Sequence, residues 1–410
     1  MVLPTKVTHD GITHNIIEVG SGCFMTGYAD GTLTIPEGYK LLSARAFRAC
    51  AALTGTIKMP STMQLLQEEV FFECTNIEHV EFNEGLKKIG HNAFNGCRNL
   101  KGTIKMPSTL TEISGRAFAN TPLLEKAIFP ASLKRITNEI FMNSGISEVV
   151  FPEGIEIIQD LVLGYCPNLK SVVFPSSLQW IGDYMFRGSK VESITIKPGV
   201  QKIGYYFVDN AEVGSSVTIP NTVTEYKTGF ITYSTIHGNI NLPNSFKTLK
   251  TYTITGCTVD GSINIPEGVE KLQADALSGV TVGGRITIPR TVTELPERAV
   301  VSAYGKPKSK LVTHSPYMEA KSFENCDIYA PQPFVQKFRD IVKYEYQKKV
   351  LPYGDVNNDD VTDIADLNIL IDVVLGLEKA SKYGDGVYVT DDKSVDIADI
   401  NDVINSILGM

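Results

Sequence analysis

One short sentence of residues, written about a dozen times, restricts what this chain can fold into. A strand-like run closes on a proline at Pro36, Pro60, Pro107, Pro130, Pro152, Pro175, Pro220, Pro243, Pro266 and Pro289, with Asn83 and Lys197 in the same place, and successive anchors lie 22 to 24 residues apart. Self-similarity at one short period marks a solenoid, because a unit of this size cannot bury its own apolar face and must stack on its neighbours. The apolar places repeat with the anchor. Three past it stand Tyr39, Met63, Leu86, Leu110 and Leu133; six past it stand Leu42, Leu66, Ile89, Ile113 and Ile136. Eleven past it comes a large plug, Phe47, Phe71, Phe94, Phe118, Phe141 or Phe186, replaced elsewhere by Leu163, Ile231, Ile254, Leu277 and Val300.

Within each unit, apolar residues one and three before the anchor, such as Ile57/Met59, Ile104/Met106 and Val172/Phe174, alternate as a strand with one core face. The run Ile89-Gly90-His91-Asn92-Ala93-Phe94-Asn95-Gly96-Cys97 spaces Ile89, Ala93, Phe94 and Cys97 as one side of a short helix. The expected fold class is therefore an α/β repeat, a solenoid with a curved parallel sheet on one flank and helices on the other. Ile12, Ile16, Ile17 and Val19 within Gly11 to Tyr28 predict short strands covering the first coil. A Lys-, Pro- and Ser-rich break is expected from Ser302 to Pro316, then a closing amphipathic helix carrying Phe334, Phe338, Ile341 and Val342.

Cys50, Cys74, Cys97, Cys166 and Cys257 all lie fourteen past the anchor, where other units carry Thr121, Ser144, Ser189, Ser234 or Ala303. They are read as small packed side chains and reduced thiols, since the close Cys pairs of zinc sites are missing. The net charge of −8 is uneven: from Pro352 onward thirteen acidic residues face three Lys, leaving 33 acids and 35 bases in residues 1–351. With no basic stripe to release counterions, nucleic acid is excluded as a partner. No apolar run reaches the length of a membrane span. The opening Met1-Val2-Leu3-Pro4 lacks a basic region and apolar core, and an exported chain with its signal trimmed is the expectation.

The recurrent strand-Pro, Ile-Gly, Ala-Phe and Cys pattern, present as Ile89-Gly90, Ala93-Phe94 and Cys97, resembles the bacterial surface leucine-rich repeat family of the BspA-like type, over about Thr32 to Ala330. The resemblance implies a secreted or surface protein that binds other proteins or host matrix and has no catalytic residues. Thr253-Ile254 and Ala299-Val300 stand where Ala-Phe is the pattern, so irregular helices are expected in those units.

A second motif lies in the acidic tail. Asp355, Asn357, Asp359, Asp363 and Asp366 occupy positions 1, 3, 5, 9 and 12 of a twelve-residue loop, and the Val361 carbonyl falls at position 7, the spacing of an oxygen cage for calcium. A second loop offers Thr390, Asp392, the Ser394 carbonyl, Asp396 and Asp399, but opens on Tyr388 and carries Lys393 where a sharp turn favours Gly, so it is expected to bind calcium more weakly. Each loop runs into an apolar helix that ends in Leu-Gly, at Leu375-Gly376 and Leu408-Gly409. This loop-then-helix unit, written twice from Gly354 to the C-terminus, resembles the type I dockerin module. The resemblance implies a small all-α calcium-folded domain that docks onto a cohesin module of a scaffold or surface protein, with Ile364, Ala365, Ile397 and Ala398 at the partner-recognition places.

The expected domains are thus a cap at 1–31, a leucine-rich repeat solenoid with its cap helix at 32–351, and a dockerin-like calcium-binding domain at 352–410. An enzyme is not expected: His9, His14, His79, His91, His237 and His314 are scattered, and no phosphate loop or nucleophile elbow is present. Trp180, Tyr184, Tyr205 and Tyr226 are the candidates for a sugar platform. The reading is a non-catalytic exported adhesion protein whose solenoid recognises an unidentified protein or glycan. The alternative is an enzyme or substrate-targeting subunit of a polysaccharide-degrading complex.

Overall fold

The computed structural model describes residues 1–27, 29–317, 321–330, 332–342, 349–352, 354, 362–375 and 397–408. The chain divides into two compact units, Met1–Gly214 with Thr222–Phe230, and Ser215–Asn221 with Ile231–Met410.

In the first unit every coil has three sides. The residues before the anchor form parallel strands, among them Gly102–Lys105, Leu124–Ile128, Glu148–Val150, Leu169–Phe174 and Lys190–Ile196, neighbours in chain order. Val149 lies opposite Val172, so equivalent residues stack and one pleat face stays apolar. Ile104, Ala127, Val149 and Val172 are buried, whereas Val150 and Val173 point outward and are exposed. A second ladder is built from two-residue strands six past the anchor, including Leu41–Leu42, Leu65–Leu66, Lys88–Ile89 and Glu112–Ile113.

The third side corrects an expectation. The Ile89 to Cys97 segment and its equivalents are turns, and the only α-helices among the described residues are α1 (Gln332–Val342), α2 (Ile364–Val374) and α3 (Ile397–Leu408). Two residues per turn sit in the left-handed region, as with Arg45 and Ala49 (φ 60° and 58°), Glu69 and Glu73 (φ 56° each), and Arg116 and Asn120 (φ 58° and 55°). A left-handed residue every fourth place breaks an α-helical ladder. The backbone bonds instead alternate. Arg45, Phe47 and Ala49 donate N–H to the carbonyls of Glu68, Val70 and Phe72 in the next coil, while Ala46, Arg48 and Cys50 donate to Ser43, Arg45 and Phe47 in their own. Helical spacing of Ala93, Phe94 and Cys97 was therefore real as a burial pattern but belongs to a stacked turn.

The plug residues fill the interior. Phe24, Phe47, Phe71, Phe94, Phe118 and Phe141 stack face to face at centroid distances of 5.1, 5.3, 5.3, 5.4 and 6.1 Å. Phe24 and the strand Glu18–Val19, paired with Leu41–Leu42, are what cover the first coil. Ile12 and Ile17, expected there, are exposed; Ile12 belongs to an antiparallel hairpin, Lys6–His9 with Ile12–Asn15, whose residues are all exposed.

In the second unit the plug places carry Ile231, Ile254, Leu277, Val300 and Phe323, and here the third side forms a true parallel ladder with these residues opposite one another. The left-handed pair of the first unit persists here, at Tyr252 and Gly256 (φ 58° and 65°) and at Asp275 and Gly279 (φ 53° and 65°), and Tyr252, Ile254 and Gly256 donate N–H to the carbonyls of Asp275, Ala276 and Ser278 in the next coil. The expected break from Ser302 to Pro316 is also corrected: Ser309–Thr313 is a strand between Arg285–Ile288 and Cys326–Ala330, with Leu311 fully buried. α1 follows, with Val335 and Phe338 buried and Phe334 stacked on Phe338, as its amphipathic pattern predicts; the side chains of Ile341 and Val342 lie outside the described residues. One more strand, Lys349–Pro352, then pairs with Cys326–Ala330.

All seven cysteines are free thiols. Those of the repeats are buried and donate to the preceding coil: Cys74 Sγ to the Phe47 carbonyl at 2.9 Å, Cys97 Sγ to Phe71 at 3.2 Å and Cys166 Sγ to Phe141 at 3.2 Å. Ser189 Oγ does the same to Leu163 at 2.6 Å, which is why Ser and Cys alternate there. Burial raises the Cys97 thiol pKa and pushes that of Cys166 up to about 12.

Replacing Phe94, fully buried between two rings, with Ala should lower stability by about 3–5 kcal/mol, read as a shifted denaturant midpoint. Cys97→Ser should cost far less, since the hydroxyl keeps the bond to Phe71. In the native state an alkylating reagent should modify Cys23, which is exposed, and spare the buried thiols; mass mapping of the labelled sites checks this.

Candidate functional site

The tail helices carry the residues singled out for metal and partner binding. Asp363 is the N-cap of α2: its Oδ1 accepts from the Ala365 N–H at 2.6 Å, and the Asp363 N–H donates to Asp366 Oδ2 at 2.9 Å, a reciprocal capping box. Loop position nine is thus the N-cap and position twelve the third helical residue. Asp366 and Asp399 hold the same place in the first turns of α2 and α3, and both are fully buried. Carboxylates near a helix N-terminus are favoured by the unpaired N–H groups there. Ile364 is 66% exposed and Ala365 is exposed beside it. Ile397 and Ala398 open α3, with side chains outside the described residues. Asp355, Asn357, Asp359, Val361, Thr390, Asp392, Ser394 and Asp396 also lie outside them. Among the described residues no group of three or more His, Cys, Asp or Glu side chains is placed to hold a metal.

The solenoid surface is dominated by charge pairs between coils. Lys88 meets Glu112 at 2.7 Å, Lys190 meets Glu212 at 2.7 Å, and Arg116 holds Glu139 through two bonds of 2.7 and 3.1 Å. A shallow cleft of about 320 Å³ beside that pair is lined by His91, Thr137, Asn138 and Gln159. Another, of about 500 Å³, lies in the second unit between Lys271, Gln273, Glu294, Leu295 and Tyr317. His237 Nδ1 meets the exposed Asp260 carboxylate at 2.7 Å.

Of the expected aromatic platform, Tyr226 is buried and Trp180 half-buried. Tyr184 is stacked on Tyr206 at 5.0 Å with the Arg187 guanidinium over its ring. Tyr205 is 43% exposed, and so is Tyr165, which sequence reasoning missed. Tyr165 lies over Gly188, where a Cβ would come within 2.6 Å of its ring, and Tyr206 lies over Gly229 in the same way. The signal was present as a Tyr followed 23 residues later by a Gly, at 165/188 and 206/229.

A turn carboxylate recurs one past the anchor. Glu37 accepts from the Ser61 N–H and hydroxyl, Glu84 from those of Ser108, and Glu153 from Ser176 and Ser177. These bonds hold Glu37 and Glu84 below the ordinary carboxylate range, and the Ser177 N–H, with Lys197 and Ser176, brings Glu153 to about 2. A depressed native pKa stabilises above the unfolded value of 4.5 and loses that contribution as pH falls toward about 2. Acid unfolding followed between those limits should therefore be less steep in Glu153→Gln than in the parent.

The sequence profile described as the BspA type leucine-rich repeat region, in six copies, matches residues 17–147, 134–260 and 233–349. No curated protein matches the chain. Among solved structures, a leucine-rich repeat protein from Bacteroides ovatus is 20% identical, over 71% of this chain and 87% of its own, with a TM-score of 0.42. A leucine-rich cell surface protein from Faecalibacterium prausnitzii is 21% identical over 73% and 83% (TM-score 0.39). The pneumococcal vaccine antigen PcpA is 16% identical over 86% and 88% (TM-score 0.43).

Proposed function

We propose, from the premise that this chain belongs to the BspA-type leucine-rich repeat family, that it is an exported or surface-held binding protein whose tail fastens it to a second protein. Leucine-rich repeat proteins are a non-enzymatic binding fold, and no helix among the described residues is long and apolar enough to cross a membrane. The solenoid supplies the recognition surface and a protein is its ligand class. The dockerin-like region 352–410 docks to a cohesin module through Ile364, Ala365, Ile397 and Ala398.

The observation that carries the tail's role is the equivalence of Asp366 and Asp399, two buried carboxylates in matching first turns. The donor set fits a hard cation: at Asp363 and Asp366 the capping box orients both carboxylates through one oxygen each, and a carboxylate has about four lone-pair sites to offer. Asp355, Asn357, Asp359, the Val361 carbonyl, Asp363 and Asp366 would hold one calcium; Thr390, Asp392, the Ser394 carbonyl, Asp396 and Asp399 would hold the other. Bound calcium would supply the positive charge that lets so many carboxylates converge.

Calorimetric titration of the full chain should show two calcium events of unequal affinity. Asp366→Ala should remove the tighter one and Asp399→Ala the weaker; no binding heat, or equal losses, would overturn the reading. Capture of a cohesin module should need calcium and should fall in Ile364→Asp. The glycan alternative is favoured by exposed tyrosine rings, Tyr165 and Tyr205 in the first unit and Tyr233, Tyr252, Tyr304 and Tyr317 in the second. A glycan array on which Tyr165→Ala abolished a signal would replace the protein ligand with a sugar.

A further inference from the structure

On the strand Ser309–Thr313 side chains alternate, so Leu311 faces the interior of the coil and Val312 faces out. Outward valines of the first unit, Val150 and Val173, are 37% and 39% exposed, but Val312 is 3% exposed. What covers it is the tail. Val312, Leu370 of α2 and Val403 of α3 form one buried apolar cluster, and Tyr329, in register beside Val312 on the neighbouring strand, packs against it. The tail also arrives without a spacer. The strand Lys349–Pro352 pairs with Cys326–Ala330, and Gly354, two residues beyond it, already lies against α3: a Cβ there would be 3.1 Å from Val403 Cγ2. Its φ of 85° makes a side chain strained in any case.

We infer that the tail helices are a seated part of the last coils, closing the outer sheet face there to other ligands, and not a plug swinging on a linker. The exposed Ile364 leaves the first turn of α2 open while the helices are seated, so a partner held there would be held in fixed orientation to the terminal coils. This goes beyond the docking reading and does not depend on the metal.

Hydrogen exchange on the full chain tests it. Leu370→Ala should lower amide protection in the strand Ser309–Thr313 by about tenfold or more, because that strand loses the cover on its outer face. The reciprocal variant Val312→Ala should loosen α2 and α3, while Ile364→Ala should leave the strand unchanged. Protection in Ser309–Thr313 that survives Leu370→Ala, or helices indifferent to Val312→Ala, would overturn the inference.

Discussion

Each coil leaves half of its turn N–H groups without a partner of its own, and the next coil must supply the carbonyls. Arg45, Phe47 and Ala49 bond forward to Glu68, Val70 and Phe72, and Glu69, Phe71 and Glu73 do so in turn to His91, Ala93 and Asn95. A buried amide left unpaired costs about 1–3 kcal/mol, so a single coil in isolation is penalised at several places at once. Stacking removes that penalty and closes the aromatic column in the same step, which makes stability a sum of nearest-neighbour terms.

The same dependence sets the small residues. The place fourteen past the anchor takes a compact side chain, and Cys74, Cys97, Cys166 and Ser189 there also donate to the preceding coil. Left-handed backbone at non-glycine residues such as Arg45 and Glu69 costs about 1–3 kcal/mol each, and it persists because forward hydrogen bonds and stacked plugs over-determine the turn. On the surface, Lys–Glu and Arg–Glu pairs run between coils and leave the repeat body nearly neutral. Exposed pairs of this kind add little stability and act chiefly by disfavouring a slipped register.

The repeat rule constrains the inward places and leaves the outward ones free. The repeat dictates Phe94 and Ile89 but leaves Tyr165, Tyr205 and the outer residues of the strands unconstrained. In the tail the restriction is of another kind: Asp363 and Asp366 are tied to each other by the capping box of α2.

The period, the anchors, the plug column and the buried Cys places were legible in the sequence alone, because each is a rule about which residues face inward, and burial leaves its mark on composition. The Asp363/Asp366 pair was legible because the spacing of a helix cap is local. Tertiary structure decided what local pattern cannot carry. Ala93, Phe94 and Cys97 have helical spacing, yet bonds to a coil 23 residues away make the segment a turn. Ser309–Thr313 sits in a stretch of loop-like composition, yet two neighbouring strands offer it partners on both edges. The seat of α2 and α3 on Val312 was hidden because an outward valine looks alike in sequence whether solvent or another element lies above it.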